Sequence, residues 1–345
     1  MIVIIGAGLS GLLTAFRLKK TRIPFKVLEA RSRPGGRIFT LSAADRTPVE
    51  MGATWFHHEH RLLIDLLKEL RLSYFEQYME GAAYFQPRPG VPAEGFTMPQ
   101  QAPSYRISGG SDQLILRLLE GLAEEDVLLN EPVTSLDFSE PEITVQARNT
   151  FKASKVVLAL PPRLWEHKIS FTPALSDLMA DTARKTQTWM EESMKIALVY
   201  KRPFWREMNR SGTLFSNAGP MMEVYDHCDA EVSRYALCGF LDSGFRDLES
   251  NERQQLVLKQ LSSVFGEAAN SIIDYRELNW SSEAFTARSP DLPLFPHQNN
   301  GNLLYQNTAY GDRLLFAGTE TSPHHGGYME GAVFASDQVF AQLLR

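Results

Sequence analysis

"MIVIIGAGLSGLLTAFRLKKTRIPFKVLEA", residues 1–30, carries the signals that decide the fold. "IVII" is a short, wholly apolar strand, and "LSGLLTAFRLKK" sets Leu9, Leu12, Leu13 and Phe16 on one stripe at helical spacing. "FKVLEA" is a second apolar strand that ends in a carboxylate. Strand, glycine turn, helix and strand make the opening unit of a dinucleotide-binding α/β fold. Within "GAGLSG", Gly6 allows the tight turn, Gly8 lets the backbone approach a pyrophosphate, and Gly11 lets the helix pack on the strand. The helix start offers unpaired N–H groups and a positive dipole end to phosphates. Glu29 falls at the end of the second strand, where a carboxylate can accept from ribose hydroxyls.

The next residues, "ARSRPGGRIFT", favour FAD over NAD. Gly35 and Gly36 permit a second close backbone approach, and Arg37 supplies a fork for a phosphate oxygen. Further along, "HRLLIDLLKELRL" is an amphipathic helix, and the Pro/Gly-rich "QPRPGVPAEGFTMPQQAP" reads as an irregular loop between domains. "SGGSDQLILRLLEGLAEE" reads as a capped helix, and "VLLNEPVTSLDF", "ITVQAR" and "KVVLALPP" as successive strands, the last ended by Pro161 and Pro162. "KIALVYKRPFW" is another strand, "QQLVLKQLSSVFG" a helix, and "GYMEGAVFASDQVFAQLL" a closing helix that starts near Gly327.

Composition narrows the function. A chain of 345 residues with 43% apolar content can bury one large or two medium cores, and its length suggests two. A net charge of −6 with no Lys/Arg run beyond two residues argues against nucleic acid and anionic membranes as partners. Cys228 and Cys238 lie in no C-x-x-C and suit a reduced, cytoplasmic protein. The first strand begins at Ile2, which leaves no room for a leader, and no apolar stretch is long enough to span a bilayer.

Over most of its length the chain resembles the flavin-containing monoamine and polyamine oxidase family. The resemblance rests on "IIGAGLSGL", "VLEARSRPGGR", "EMGATWFH", "YRISGGSDQL", "EPVTSLDF", "VVLALPP", "MKIALVYKRPFWR", "NW" and, most specifically, "LLFAGTETSPHHGGYMEGA". It implies a discontinuous, Rossmann-like FAD-binding domain of the two-dinucleotide-binding type (1–74, 105–184 and 281–345) and a smaller α+β substrate domain (75–104 and 185–280). By this resemblance Gly6, Gly8, Ser10, Gly11, Glu29, Ala30, Arg31, Gly36 and Arg37 bind the ADP half of FAD. Gly52, Ala53, Thr54, Trp55 and Trp280 lie along the flavin, and Val133 meets adenine. Gly318, Glu320, Gly327 and Met329 close over the ribityl chain and flavin ring, with the last helix aiming its positive end at the edge that gains negative charge on reduction.

The family's catalytic lysine matches Lys195, at the start of an apolar strand where a cation needs a reason to be buried. Tyr328 matches one wall of an aromatic cage that guides an amine to the flavin. The second wall should follow Trp280, but the matching positions are Ser289 and Pro290, so the cage is half missing and no cysteine is there to link the flavin covalently. The resemblance therefore implies non-covalent FAD, a small-molecule amine substrate oxidised by hydride transfer, and dioxygen as acceptor. A long helical segment of monoamine oxidases is absent; that compact length leaves open a renalase-like dihydronicotinamide oxidase or a desaturase acting on a non-amine, and the weakened cage leaves open a non-catalytic flavoprotein. "HHEH", His57, His58, Glu59 and His60, invites a metal, but adjacent histidines on a loop do not readily share a tetrahedral ion and none is expected. His57, His324 and His325 are either cavity-rim or plain loop histidines. Oligomeric state is not legible.

Overall fold

The protein is described from a computed structural model covering residues 1–286 and 294–345. At its centre five parallel strands run in the order Val127–Leu128, Phe25–Leu28, Ile2–Ile5, Lys155–Leu158, Leu314–Phe316. Such strands are buried on both faces, which is why they read as unbroken aliphatic runs. Ile2 and Ile4 point to one side, where the helices Leu9–Lys20 and Met329–Leu343 pack through Leu12, Leu13 and Val333. Val3 and Ile5 point to the other, against Leu136, Val145 and Trp165. That second layer includes a four-stranded sheet, Thr150–Ala153, Ile143–Gln146, Ser135–Asp137 and Ser170–Thr172.

A larger sheet has the order Ile272–Asn279, Met194–Tyr200, Tyr235–Leu241, Met221–Asp226, Arg210–Ser216, Ala82–Gln86, Glu94–Phe96. Its pairings are antiparallel except that of Arg210–Ser216 with Ala82–Gln86. Met194–Tyr200 is buried at every position because both of its faces are covered. Ile196 and Leu198 belong to a core with Val257 and Leu261 of the helix Ser250–Phe265. Ala197 and Val199 meet Val49 and Met51 of the ribbon Thr40–Ser42/Pro48–Glu50, the small side chain of Ala197 allowing a close approach.

Three sequence expectations are corrected. The segment 86–103 is not wholly irregular: Glu94–Phe96 pairs with Ala82–Gln86, and the Pro/Gly run between them connects two strands of a hairpin. "VLLNEPVTSLDF" is two strands in two sheets, Val127–Leu128 and Ser135–Asp137, with Asn130 at φ +59 between them. The helix Asp112–Leu119 lacks the expected side-chain cap; instead the Ser111 N–H donates to the buried Glu50 carboxylate. At the first expected domain junction, Tyr74–Glu76 pairs with Ser104–Ile107, which also pairs with Phe56–His57, so the chain leaves and returns through adjacent strands. Among the described residues no helix is long and apolar enough to cross a membrane.

Candidate active site

The glycine turn separates into positions that the protein's own packing requires and one that it does not. Gly6 has φ +104, and a Cβ there would lie 2.8 Å from the Ala159 carbonyl; a Cβ on Gly11 would lie 2.0 Å from the Gly6 carbonyl. A Cβ on Gly8 would meet nothing nearer than the Gly35 carbonyl at 4.0 Å. The protein's own packing does not require its bareness, and a side chain there would stand in an open cleft. Gly8 is also the N-cap of Leu9–Lys20 and has no side-chain cap bond, which suits a phosphate at the helix end.

Around that cleft lie Gly6, Gly8, Ser10, Glu29, Ala30, Arg31, Gly36, Arg37 and Val133. Glu29 is buried, with Oε2 accepting from the Ala7 N–H at 2.8 Å and Oε1 from the Arg31 N–H at 3.0 Å. Each carboxylate oxygen keeps acceptor capacity for ribose hydroxyls. Arg31 reaches Glu283 at 3.1 Å and Thr286 at 2.5 Å, which ties the segment after Trp280 to the ribose end. The Ser10 hydroxyl donates to the Ala317 carbonyl at 2.5 Å, so it binds helix to strand and only its edge faces the cleft. Gly11 does not line the cleft; it acts through helix–strand packing.

A second cavity adjoins the first, and Arg37, Ala53, Gly327, Tyr328 and Met329 line both. Gly52, Thr54, Trp55, Lys195 and Trp280 belong to the second. Lys195 is 2% exposed; its Nζ donates to the Gly52 carbonyl at 2.7 Å and to the Thr54 hydroxyl, and stands 5.0 Å over the Trp55 ring and 5.4 Å over Phe240. Burial lowers its pKa, and the neighbouring Cys238 and Glu50 oppose that shift. Trp280 donates through Nε1 to the Met51 carbonyl at 2.7 Å, and Trp55 to Gln77 at 2.8 Å, so both indoles are fixed.

The C-terminal signature departs in detail from the expectation. Glu320 is fully buried and lines neither cavity; its carboxylate lies 2.6 Å from Arg37, which also donates to the Trp189 carbonyl at 3.3 Å. Glu320 therefore reaches the two cavities only through its pairing with Arg37. Gly318 lines the dinucleotide cleft, and a Cβ there would lie 2.3 Å from the Leu160 carbonyl. The closing helix starts at Met329, two residues later than expected, with Tyr328 as its N-cap. Gly327, at φ +90, leaves room for Trp189, whose Cβ would be 2.5 Å from an added one. Trp189 lies 5.7 Å from Tyr328, and His297 stacks on both, at 4.1 Å and 5.5 Å. These rings are in contact, so Trp189 braces Tyr328 and does not face it across a substrate. Ser289 and Pro290 lie outside the described residues.

Of the histidines, only His57 lines the substrate cavity; His324 packs on Phe334, and His325 meets His60 edge to face at 4.7 Å. Glu59, His60 and His325 offer ligand atoms within 4.8 Å of one another. His60 is buried, its Nδ1 accepts from the His57 N–H at 3.3 Å, and burial beside His325 lowers its pKa to about 4. The arrangement keeps a neutral ring packed under Tyr328.

The family model for flavin containing amine oxidoreductase matches residues 9–91 and 74–339. This chain belongs to that family. Human flavin-containing amine oxidase B is 24% identical over 452 residues, covering 99% of this chain and 86% of that protein. Putrescine oxidase of Kocuria rosea is 24% identical over 399 residues, covering 83% of each. Among solved structures, wild-type putrescine oxidase bound to putrescine superposes with a TM-score of 0.85 at 23% identity over 99% of this chain and 98% of that one. Cyclohexylamine oxidase from Brevibacterium oxydans IH-35A gives 0.86 at 19% over 100% and 99%. These two likenesses establish the fold.

As an FAD-dependent amine oxidoreductase, the protein has site residues that the sequence reading passed over. Leu160, Pro161 and Phe285 line the FAD cleft, and Gln77, Trp189, Glu223, Tyr225 and Phe240 line the substrate cavity. Only Trp189 had a local signal, a lone indole six residues before Lys195. Glu223, Tyr225 and Phe240 reach the site through sheet pairing, and Leu160, Pro161, Phe285 and Gln77 sit on loops that carry no local signal.

Proposed function

We propose that Lys195 and Tyr328 serve amine oxidation at the junction of the two cavities, with FAD held non-covalently and reoxidised by dioxygen. The supporting observation is that the dinucleotide cleft and the cavity containing buried Lys195 share five lining residues. Bound FAD supplies the acceptor for a hydride from the C–H beside the amine nitrogen. Tyr328 offers a ring face to the nitrogen, an interaction worth roughly 0.5–2 kcal/mol. Lys195, with two of its donor positions taken by Gly52 and Thr54, keeps one N–H for a water or dioxygen at the cavity floor. Trp55 and Phe240 cover that floor and exclude bulk solvent. The division into an FAD domain (1–74, 105–184, 281–345) and a substrate domain (75–104, 185–280) suits this arrangement. A cytoplasmic setting suits the two buried free cysteines, Cys228 and Cys238.

An anaerobic screen decides the reading. Polyamines and hydrophobic amines should bleach the flavin absorbance slowly, and NADH or its isomers little. Fast bleaching by a dihydronicotinamide, with amines inert at millimolar levels, assigns the renalase-like activity instead. After acid precipitation the yellow colour should stay in the supernatant; a coloured pellet refutes non-covalent binding.

A further inference from the structure

One aromatic wall of the substrate cavity leans on a residue that does not line it. Trp189 and Tyr328 both face the cavity, and His297 stands outside it. The imidazole lies nearly parallel to both rings, 4.1 Å from Trp189 with 23° between the planes and 5.5 Å from Tyr328 with 20°. One ring therefore spans two that touch each other at 5.7 Å. Burial alone does not fix those two rings: Tyr328 is 36% exposed and Trp189 is half-buried. They also come from distant parts of the chain, Trp189 from the segment before the strand Met194–Tyr200 and Tyr328 from the N-cap of the closing helix.

The imidazole, by contrast, is tethered to both segments. The His297 N–H donates to Gln187 Oε1 at 3.0 Å, and the Gln187 N–H donates to the Gln298 carbonyl at 3.0 Å, which pins this turn beside Trp189. Ring Nδ1 donates to the Gly326 carbonyl at 3.1 Å, close to Tyr328 in the chain. His297 is thus hydrogen-bonded to each of the two segments whose aromatic side chain it stacks on. Stacked rings restrict one another's tilt, and each such pair adds to what area burial supplies.

We propose that His297 is a positioning residue for amine binding, which holds Trp189 and Tyr328 as one aromatic wall and keeps the Tyr328 face turned to the substrate nitrogen. This rests on the amine-binding reading of Tyr328. The imidazole lies outside both cavities and acts only through the two rings. Its loss lets them turn, which weakens capture of the amine and leaves the hydride step from a bound amine as it was.

His297→Asn separates the ring from its tethers. Asparagine tolerates the left-handed backbone at this position, φ +58, and places an amide N–H where Nδ1–H stands, so the substitution removes the ring alone. His297→Phe restores a ring face without the bond to Gly326. With the fastest amine of the anaerobic screen, KM should rise roughly three- to tenfold in His297→Asn while kcat stays within about twofold, and His297→Phe should recover most of the loss. A wild-type KM in His297→Asn, or a fall in kcat that matches the fall in kcat/KM, overturns the positioning role while amine oxidation stands. A second readout needs no turnover. The near-ultraviolet circular dichroism of the holoenzyme minus that of its Trp189→Phe variant isolates the band of the packed Trp189 indole. That band should be lost in His297→Asn and kept in His297→Phe. If it is the same in wild type and His297→Asn, the proposal is overturned, whether or not any amine bleaches the flavin.

Discussion

Glu29 shows how one side chain can hold a ligand site and its own loop together. Its oxygens already accept from the Ala7 and Arg31 amides, which fixes the carboxylate at the mouth of the dinucleotide cleft. Glu29→Ala should cost on the order of 1.5–3 kcal/mol of FAD binding, ten- to a hundredfold in affinity. Fluorescence titration of the apoprotein measures this, and affinity unchanged within twofold would remove Glu29 from the site. Lys195→Met keeps the buried stem and deletes the charge, so FAD should stay bound while flavin reduction, its reoxidation by dioxygen, or both become slower. Stopped-flow rates of the two half-reactions separate these outcomes; if neither changes, Lys195 is a packing lysine. Both residues were legible because each is a charged group in an apolar run, where burial demands a reason. Glu223 of the substrate cavity was not, since a carboxylate on a strand with one solvated face is ordinary until the bulge at Met222, between the pairs Met221–Leu241 and Glu223–Phe240, shows which face it takes.

The glycine turn and its helix make an element-scale prediction with two opposite outcomes. Gly11→Ala puts a methyl 2.0 Å from the Gly6 carbonyl and forces the helix off the strand, so the apoprotein should lose roughly 1–3 kcal/mol. Gly8→Ala meets nothing nearer than 4.0 Å, so the apoprotein should melt like wild type while FAD affinity falls at least tenfold. Thermal melts of the apoproteins and FAD titrations check both, and a Gly8→Ala protein that binds FAD normally would mean that the cleft holds its ligand elsewhere. The opening strand, helix and strand appear where the periodicity puts them, because a buried parallel strand and a packed helix leave strong local patterns. The hairpin of Ala82–Gln86 and Glu94–Phe96 left none: its strands are short and half exposed, and Arg210–Ser216 supplies the partner that orders them.

Across the whole molecule, acid should act through buried histidine. His60 packs against His325 and below Tyr328, where burial lowers its pKa from 6.5 to about 4. Between those values the unfolded chain binds more protons than the folded one, so stability should fall as pH drops from about 6.5 toward 4. The loss is at most about 3 kcal/mol for this group. Denaturant titrations of the apoprotein at pH 7 and 4.5 measure it, and His60→Gln should reduce the slope by up to one proton, leaving the share of buried His227, whose pKa burial and Arg106 also depress. An identical pH slope in the variant would place the acid sensitivity in other groups.

By itself the sequence determined the dinucleotide fold, the acid at the end of its second strand, the buried lysine and the return of the C-terminal glycines to the same cleft, since each is written as a local pattern or a family signature. Tertiary structure alone decided how those parts divide their work. Glu320 is turned onto Arg37, Ser10 onto the Ala317 carbonyl, and Trp189 onto Gly327 and Tyr328, all across more than a hundred residues of chain. The substrate cavity was the least legible part, because its lining is gathered from distant loops and from one row of a sheet, Lys195, Phe240 and Glu223, whose register is set by pairing between strands and by a single extra residue at Met222.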